Sequence, residues 1–234
     1  MRASRHLPAI VALLLAAGSG TAVAAATGEW ISYRDAYRAM VVFEKYGKPK
    51  NFIQNHYQVM PREKGISLDG VQLSLQGKTM QVNLPLDPTG RTVFPFLKAA
   101  YDENAALVLN RKVANYVFRP RISIIVQADG LYETGDLRAA CEQVLAWRRH
   151  VDATASAKKC VGVRFAFTGA GGEPEVRLRR GAAGETVLPA VTGAAFSDDP
   201  NAAFRVVNYR FADSTVAGQV VMTDAPLSIA ALIE

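Results

Sequence analysis

Histidine is scarce in this chain, with His6, His56 and His150 the only three in 234 residues. A hydrolytic triad needs a serine or cysteine nucleophile, a histidine base and an orienting acid. No Gly-x-Ser-x-Gly elbow follows residue 24, so no catalytic residue is assigned. His-Glu-x-x-His, a clustered Cys/His set and a calcium loop of alternating acids are all missing, so no metal site is expected. The glycine-rich Gly169-Ala170-Gly171-Gly172 lacks the following Lys-Ser/Thr of a phosphate loop and reads as a hairpin tip, and no cofactor is expected. There is no concentrated basic run: Arg111, Lys112, Arg119, Arg121, Arg177, Arg179 and Arg180 lie in strand-like text with acids between them, which argues against nucleic acid as a partner.

Long apolar runs are absent too. The longest near the N-terminus, Leu7 to Ala17, covers 11 residues, well short of the roughly 20 needed to span a bilayer as a helix. It follows Arg2 and Arg5 and precedes small residues from Gly18 to Ala26. This order of charge, apolar stretch and small side chains is that of a cleavable signal peptide, with Ala22-Val23-Ala24 offering the cleavage site. The expected mature chain begins at Ala25 or Thr27, is periplasmic or secreted, and keeps no transmembrane anchor. Loss of Arg2 and Arg5 lowers the formal charge from +6 to +4.

What is present starts with two cysteines, Cys141 and Cys160. In an oxidising compartment an even count reads as a disulfide, closing a loop of about 20 residues. Ser32 followed by Asp35 forms a capping-box start, and Gly47 with Pro49 a stop, for an N-terminal helix carrying Tyr33, Tyr37 and Met40 on one face. A second helix is expected over Thr134 to Val151, connecting two β units. Trp30, Tyr33, Tyr37, Tyr46 and Phe52 read as packing for the first helix, with a sugar-binding platform as the alternative.

Sliding the chain against itself gives a repeat of about 94 residues. Alternating Val71, Leu73, Leu75 and then Met80, Val82, Leu84 match Val163, Phe165, Phe167 and then Val176, Leu178, each read as a hairpin. Gly90-Arg91-Thr92-Val93-Phe94-Pro95 matches Gly184-Glu185-Thr186-Val187-Leu188-Pro189, and the acidic turns Asp102-Glu103-Asn104 and Asp198-Asp199 with Asn201 follow. Leu227 to Ile233 reads as a stub of a second connecting helix. The expected fold is mainly β (α+β): two tandem duplicated antiparallel β-sheet or sandwich units with an N-terminal helix and a connecting helix. The expected division is 1–24 signal peptide, 25–151 first unit with both helices, 152–160 linker and 161–234 second unit.

The duplicated Asp102, Glu103, Asn104, Asp198, Asp199 and Asn201 are candidate ligand-binding residues, although Asp and Asn are ordinary turn formers. His150, at a helix end, reads as a cap. Leu84-Pro85-Leu86-Asp87, followed by Val93-Phe94-Pro95 and a hydrophobic strand, resembles an uncharacterised domain of proteobacterial periplasmic proteins over the first unit, which implies location and no activity. The functional expectation is a non-enzymatic binding or accessory protein of the cell envelope, its partner an envelope protein or polysaccharide. The alternatives are a hydrolase of envelope polymer or ester using Asp129, His56 or the acidic turns, and an assembly factor that accepts a partner strand.

Overall fold

The structure is a computed structural model that describes residues 29–169, 172–181, 184–201, 203–211 and 217–234. Residues 1–24, expected from the sequence to be a signal peptide, lie outside the described residues. No helix among the described residues is long and apolar enough to cross a membrane.

Strand β1 (Glu29–Ser32) runs directly into helix α1 (Tyr33–Glu44), where the Ser32 side chain accepts a hydrogen bond from the Asp35 amide as the capping pattern requires. Then come the long β2 (Ile53–Pro61), the hairpin β3 (Leu73–Gln76) and β4 (Gln81–Leu84), the short β5 (Arg91–Thr92), helix α2 (Lys98–Asp102), β6 (Ala106–Leu109) and β7 (Tyr116–Ile124). The second half repeats the scheme. Strand β8 (Leu131–Glu133) enters helix α3 (Thr134–Val151), followed by β9 (Cys160–Phe167), the hairpin β10 (Val176–Arg179) and β11 (Glu185–Leu188), β12 (Ala190–Gly193), β13 (Phe204–Arg210), β14 (Gln219–Met222) and β15 (Ser228–Ile233).

Three antiparallel sheets result. Two are small and four-stranded, in the orders β1-β6-β3-β4 and β8-β14-β10-β11, and the third is seven-stranded, β12-β13-β9-β15-β7-β2-β5. The small sheets have the same order when β1, β6, β3 and β4 are matched with β8, β14, β10 and β11. The large sheet joins the halves where β7 meets β15, with Ile124 opposite Ile229. Each half is therefore a sandwich of one small sheet on part of the large one, a mainly β, α+β fold.

This duplication pairs other segments than the 94-residue period suggests. β9 and β10 do not form a hairpin: β9 lies in the large sheet and β10 in a small one. Gly90 leads into β5 at an edge of the large sheet, whereas Gly184 is the turn of the β10/β11 hairpin. Strand order places the start of the second repeat at β8, so α3 is the counterpart of α1, and residues 152–159 connect α3 to β9 within that repeat. Leu227 to Ile233 is not a helical stub. Its residues from Ser228 form β15 between β9 and β7, where a nearly continuous apolar run suits a strand covered on both faces.

Alternation fills the cores. Leu73, Leu75, Leu84, Leu107 and Leu109 of the first small sheet meet Tyr57, Val59 and Tyr116 of the large sheet, with Tyr33, Ala36 and Met40 of α1 closing the side. In the second half Val176, Leu178, Val220 and Met222 meet Val163, Phe165, Val207 and Ile229, with Leu137, Ala140 and Cys141 of α3. Cys141 and Cys160 are bridged, Cα to Cα 6.0 Å, tying α3 to the first residue of β9.

Candidate functional site

The six candidate residues fall in two separate places. In the first, Asp102 pairs with Lys98 one turn earlier on α2. Glu103 accepts hydrogen bonds from the backbone amides of Lys78 (2.8 Å) and Thr79 (3.2 Å) and from the Thr79 hydroxyl, which fixes the β3/β4 turn. The Thr79 hydroxyl bond, with the two amides and despite partial burial, holds the Glu103 carboxyl below its usual range. Asn104 takes a left-handed conformation, φ 55°, just after α2, a position asparagine tolerates.

In the second place, residues 194–201 cross the outer face of the large sheet. Phe196 packs on Ala166, Val206 and Ala230, under the guanidinium of Arg121 (4.3 Å) and near that of Arg91 (5.5 Å). Asp199 takes Arg121 at 2.7 Å, and Asp198 takes Arg121 at 2.8 Å and Arg119 at 2.9 Å. Gln58, fully buried, donates to the Thr89 carbonyl and to Asp199 and accepts from Arg121. Asn201 donates to the Ile66 carbonyl at 3.0 Å. These contacts latch the second half to β2 and β7 of the first, and they occupy both carboxylates.

The two acids respond differently to this setting. For Asp199 burial outweighs the pull of Arg121 and raises the pKa; for Asp198, also pushed up by burial, the Arg121 and Arg119 charges win and lower it. Asp199 is the more enclosed member and takes the first proton on acidification. Beside the latch, Arg91, 4% exposed, is held by Asp87, the Ser123 hydroxyl and the Leu227 carbonyl. Periodicity gave no sign of this network, because its charges come from two strands, β5 and β7, and two turns that are distant in the chain.

A different surface offers unused hydrogen-bonding groups. The outer face of the first small sheet carries two cross-strand rows set by register: Trp30, Val108, Ser74, Asn83 and then Ser32, Ala106, Gln76, Gln81. Ser74, Gln76, Gln81, Asn83 and Val108 of these rows floor a groove of about 990 Å³, walled by Pro85 and Leu86 after β4 and by Asn110, Arg111 and Lys112 after β6, while Trp30, Ser32 and Ala106 lie on the same face outside its lining. Asn110 staples that end, accepting from the Gln72 amide at 2.8 Å and donating to the Gly70 carbonyl at 2.9 Å. The opposite end is the turn fixed by Glu103. Among the described residues the side chains of Gln81, Asn83 and Lys112 make no hydrogen bond, and Trp30 is 64% exposed. The signal for this site lay in the sequence: the outward positions of β3 and β4 are all uncharged amides or a hydroxyl.

Of the aromatics grouped with α1, Tyr33 stacks on Phe94 at 5.2 Å, Tyr37 meets Phe94, Phe96 and Tyr101, and Tyr46 meets Trp147. Only Trp30 of these faces outward. His150 lies on the rings of Tyr46 and Trp147 at the end of α3, His56 sits on the outer face of β2 opposite Arg121, and neither lines this groove or a smaller cavity of about 370 Å³ beside Asp199. Asp129 accepts from the Leu131 amide in a turn. Among the described residues no group of three or more His, Cys, Asp or Glu is placed to hold a metal ion. Compared with protein-family models, curated proteins and solved structures, the chain matches none.

Proposed function

We propose that this is an exported binding protein of the cell envelope, and that the groove on the first small sheet is its ligand surface. The observation that carries the reading is the groove's chemistry: a floor of Ser74, Gln76, Gln81 and Asn83 with Val108, held at one end by Asn110 and beyond the other by the turn that Glu103 fixes, in which Ser74 and Gln76 bond one another and Gln81 and Asn83 keep their donors and acceptors for a ligand. Ligand sites combine a preformed concavity with a few directed polar groups. The signal-like N-terminus and the bridged cysteines support an oxidising compartment.

The test has two parts. Fractionation of the tagged full-length chain should recover it from the periplasm, shortened by about 24 residues. Mature protein should co-sediment with purified envelope, and Ser74→Arg, which fills the groove floor with a long cationic side chain, should abolish this. Full-length chain in the cytoplasm, or undiminished sedimentation of the variant, would sink the proposal.

A second reading, partner-strand addition, draws on β12, an edge strand of the large sheet without a charged residue of its own. Its edge is blunted by Arg205, which bonds the Ala190 carbonyl and the Thr192 hydroxyl. Arg205→Ala would raise partner capture if β12 is the docking edge, and leave it unchanged if the groove is the site.

A further inference from the structure

We infer that the groove's ligand is an acidic polysaccharide, held by its hydroxyls along the amides of β3 and β4, by its carboxylate at Arg111 and Lys112 and, where the chain runs on past the groove along the same face, by one ring face on Trp30. This rests on the groove being the ligand surface and names what fills it.

The groups present select among polymer classes. A lipid or an amphipathic helix needs a continuous apolar floor; here Ser74, Gln76, Gln81 and Asn83 interrupt it, Val71, Leu73, Leu84 and Leu109 of the lining are buried, and Val108, Pro85 and Leu86 are the apolar residues left with exposed surface. An extended peptide pairs with a sheet edge through its backbone, not with the side chains of a face. A nucleic acid requires a run of cations along the whole path. Saccharides present many neutral hydroxyls, each able to donate and accept, and primary amides offer both functions on one side chain. Sugars also have apolar C–H faces, and an exposed indole in the same cross-strand row as Ser74 and Asn83 supplies a flat partner for one.

Dimensions and charge narrow the class further. The row from Trp30 to Asn83 crosses three strand spacings, roughly 14 Å at about 4.8 Å each, the reach of a short oligosaccharide and more than a single ring. Among the described residues the charged side chains lining the groove are Glu29, Arg111 and Lys112. The Glu29 carboxylate is engaged by the Val113 amide, and Arg111 spends one nitrogen on the neighbouring Asn110 carbonyl. The remaining cationic donors, at one end of an otherwise neutral path, complement an acidic substituent on the chain.

The experiment uses the disulfide-bonded mature protein in affinity electrophoresis and calorimetry against three polymers: polygalacturonate, neutral dextran and polyglutamate. Polygalacturonate should bind, and the other two at least about tenfold more weakly. Trp30→Ala should weaken polygalacturonate binding about tenfold, an aromatic contact's worth, and Arg111→Glu with Lys112→Glu should abolish it and its salt dependence. All three side chains are exposed, so thermal midpoints should not move. Equal binding of polyglutamate would reduce the effect to charge and overturn the saccharide assignment. Equal binding of dextran, indifferent to the Arg111/Lys112 variant, would overturn the acidic part. No polysaccharide binding with envelope sedimentation intact and Ser74-dependent would overturn the ligand class and leave the binding function standing; loss of both would remove the two together.

Discussion

The two small sheets share one strand order and one inner chemistry, yet their outer faces have diverged position by position. Where the first sheet shows Trp30, Ser74 and Asn83 in a row, the second shows Leu131, Arg177 and Val187; where the first has Ser32, Gln76 and Gln81, the second has Glu133, Arg179 and Glu185. The second face satisfies itself. Glu185 bonds Arg179 at 2.7 Å and Arg177 at 3.2 Å, and Glu133 accepts from Gln219 at 2.7 Å. A face with its charges paired internally has little left for a ligand, while on the first face Gln76 and Ser74 bond one another and the amides of Gln81 and Asn83 stay open to one. One duplicate pairs the charges of its outer face with each other, and the other carries the groove.

The halves also differ in how the helix is fastened. Eight residues into each helix, counting the first helical residue, stands Met40 in α1 and Cys141 in α3, both buried. At the head of the strand that follows, Ile53 stands in the first half and Cys160 in the second. One half packs a thioether where the other has a covalent link.

The largest effects should come from what the halves have in common. Leu75 and its counterpart Leu178 are buried at the centres of the two inner faces. Each changed to alanine should cost about 3 kcal/mol, the cavity-forming range, in urea denaturation. If only one did, the structural equivalence of the inner faces would fail. Next is the fastening that only one half has: Cys141→Ala with Cys160→Ala removes a cross-link over 19 residues, worth about 2–3 kcal/mol in loop entropy. Met40→Ala, by contrast, should lose only the packing of a buried methionine and show no dependence on reductant.

Near neutral pH the first half carries its own effect. His56 faces Arg121 across the strands, and burial first and the Arg91 charge second depress its pKa below the usual 6.5, with Asp87 opposing. The unfolded chain therefore binds the proton before the folded one. Stability contributed by neutral His56 is complete above pH 6.5 and is lost as pH falls from there through the lower folded value. Thermal midpoints read between pH 7.5 and 5.5 should fall, and His56→Gln should flatten the slope. The smallest effect belongs to the outer faces: Arg179→Ala should change stability by less than about 0.5 kcal/mol, since its pairs with Glu185 are exposed. Writing that pair into the first sheet as Gln76→Arg with Gln81→Glu should leave stability equally unmoved and remove ligand binding.

Local features were legible in the sequence because their causes are local. Ser32 and Asp35 announce the start of α1, the spacing of Leu137, Cys141, Val144 and Leu145 gives α3 its bounds, and Leu73 and Leu75 against Val82 and Leu84 give one hairpin. Partnership was not legible, because period-2 alternation states which face a residue occupies and says nothing of which strand lies beside it. That is why β9 and β10 read as one hairpin, and why the apolar β15, lacking any alternation, read as a helical stub. Asp198 and Asp199 looked like half of a ligand pair; what their spacing hides is that Arg119 and Arg121, nearly 80 residues away, already hold them. Trp30 was grouped with the core aromatics by proximity, although its place on β1 puts it on the opposite face from its neighbour Ile31.

The meeting of β7 with β15 has a consequence for how the chain must be handled. The two strands share one residue pair, Ile124 with Ile229, and the halves are also held by Asp198 and Asp199 on Arg119 and Arg121, so separation would part these charges as well as the strands. Each half supplies the partners of the other's charges, delivered by the connecting chain at an effective concentration on the order of millimolar. Halves made as two polypeptides should find one another or aggregate, and should not persist as two stable monomers.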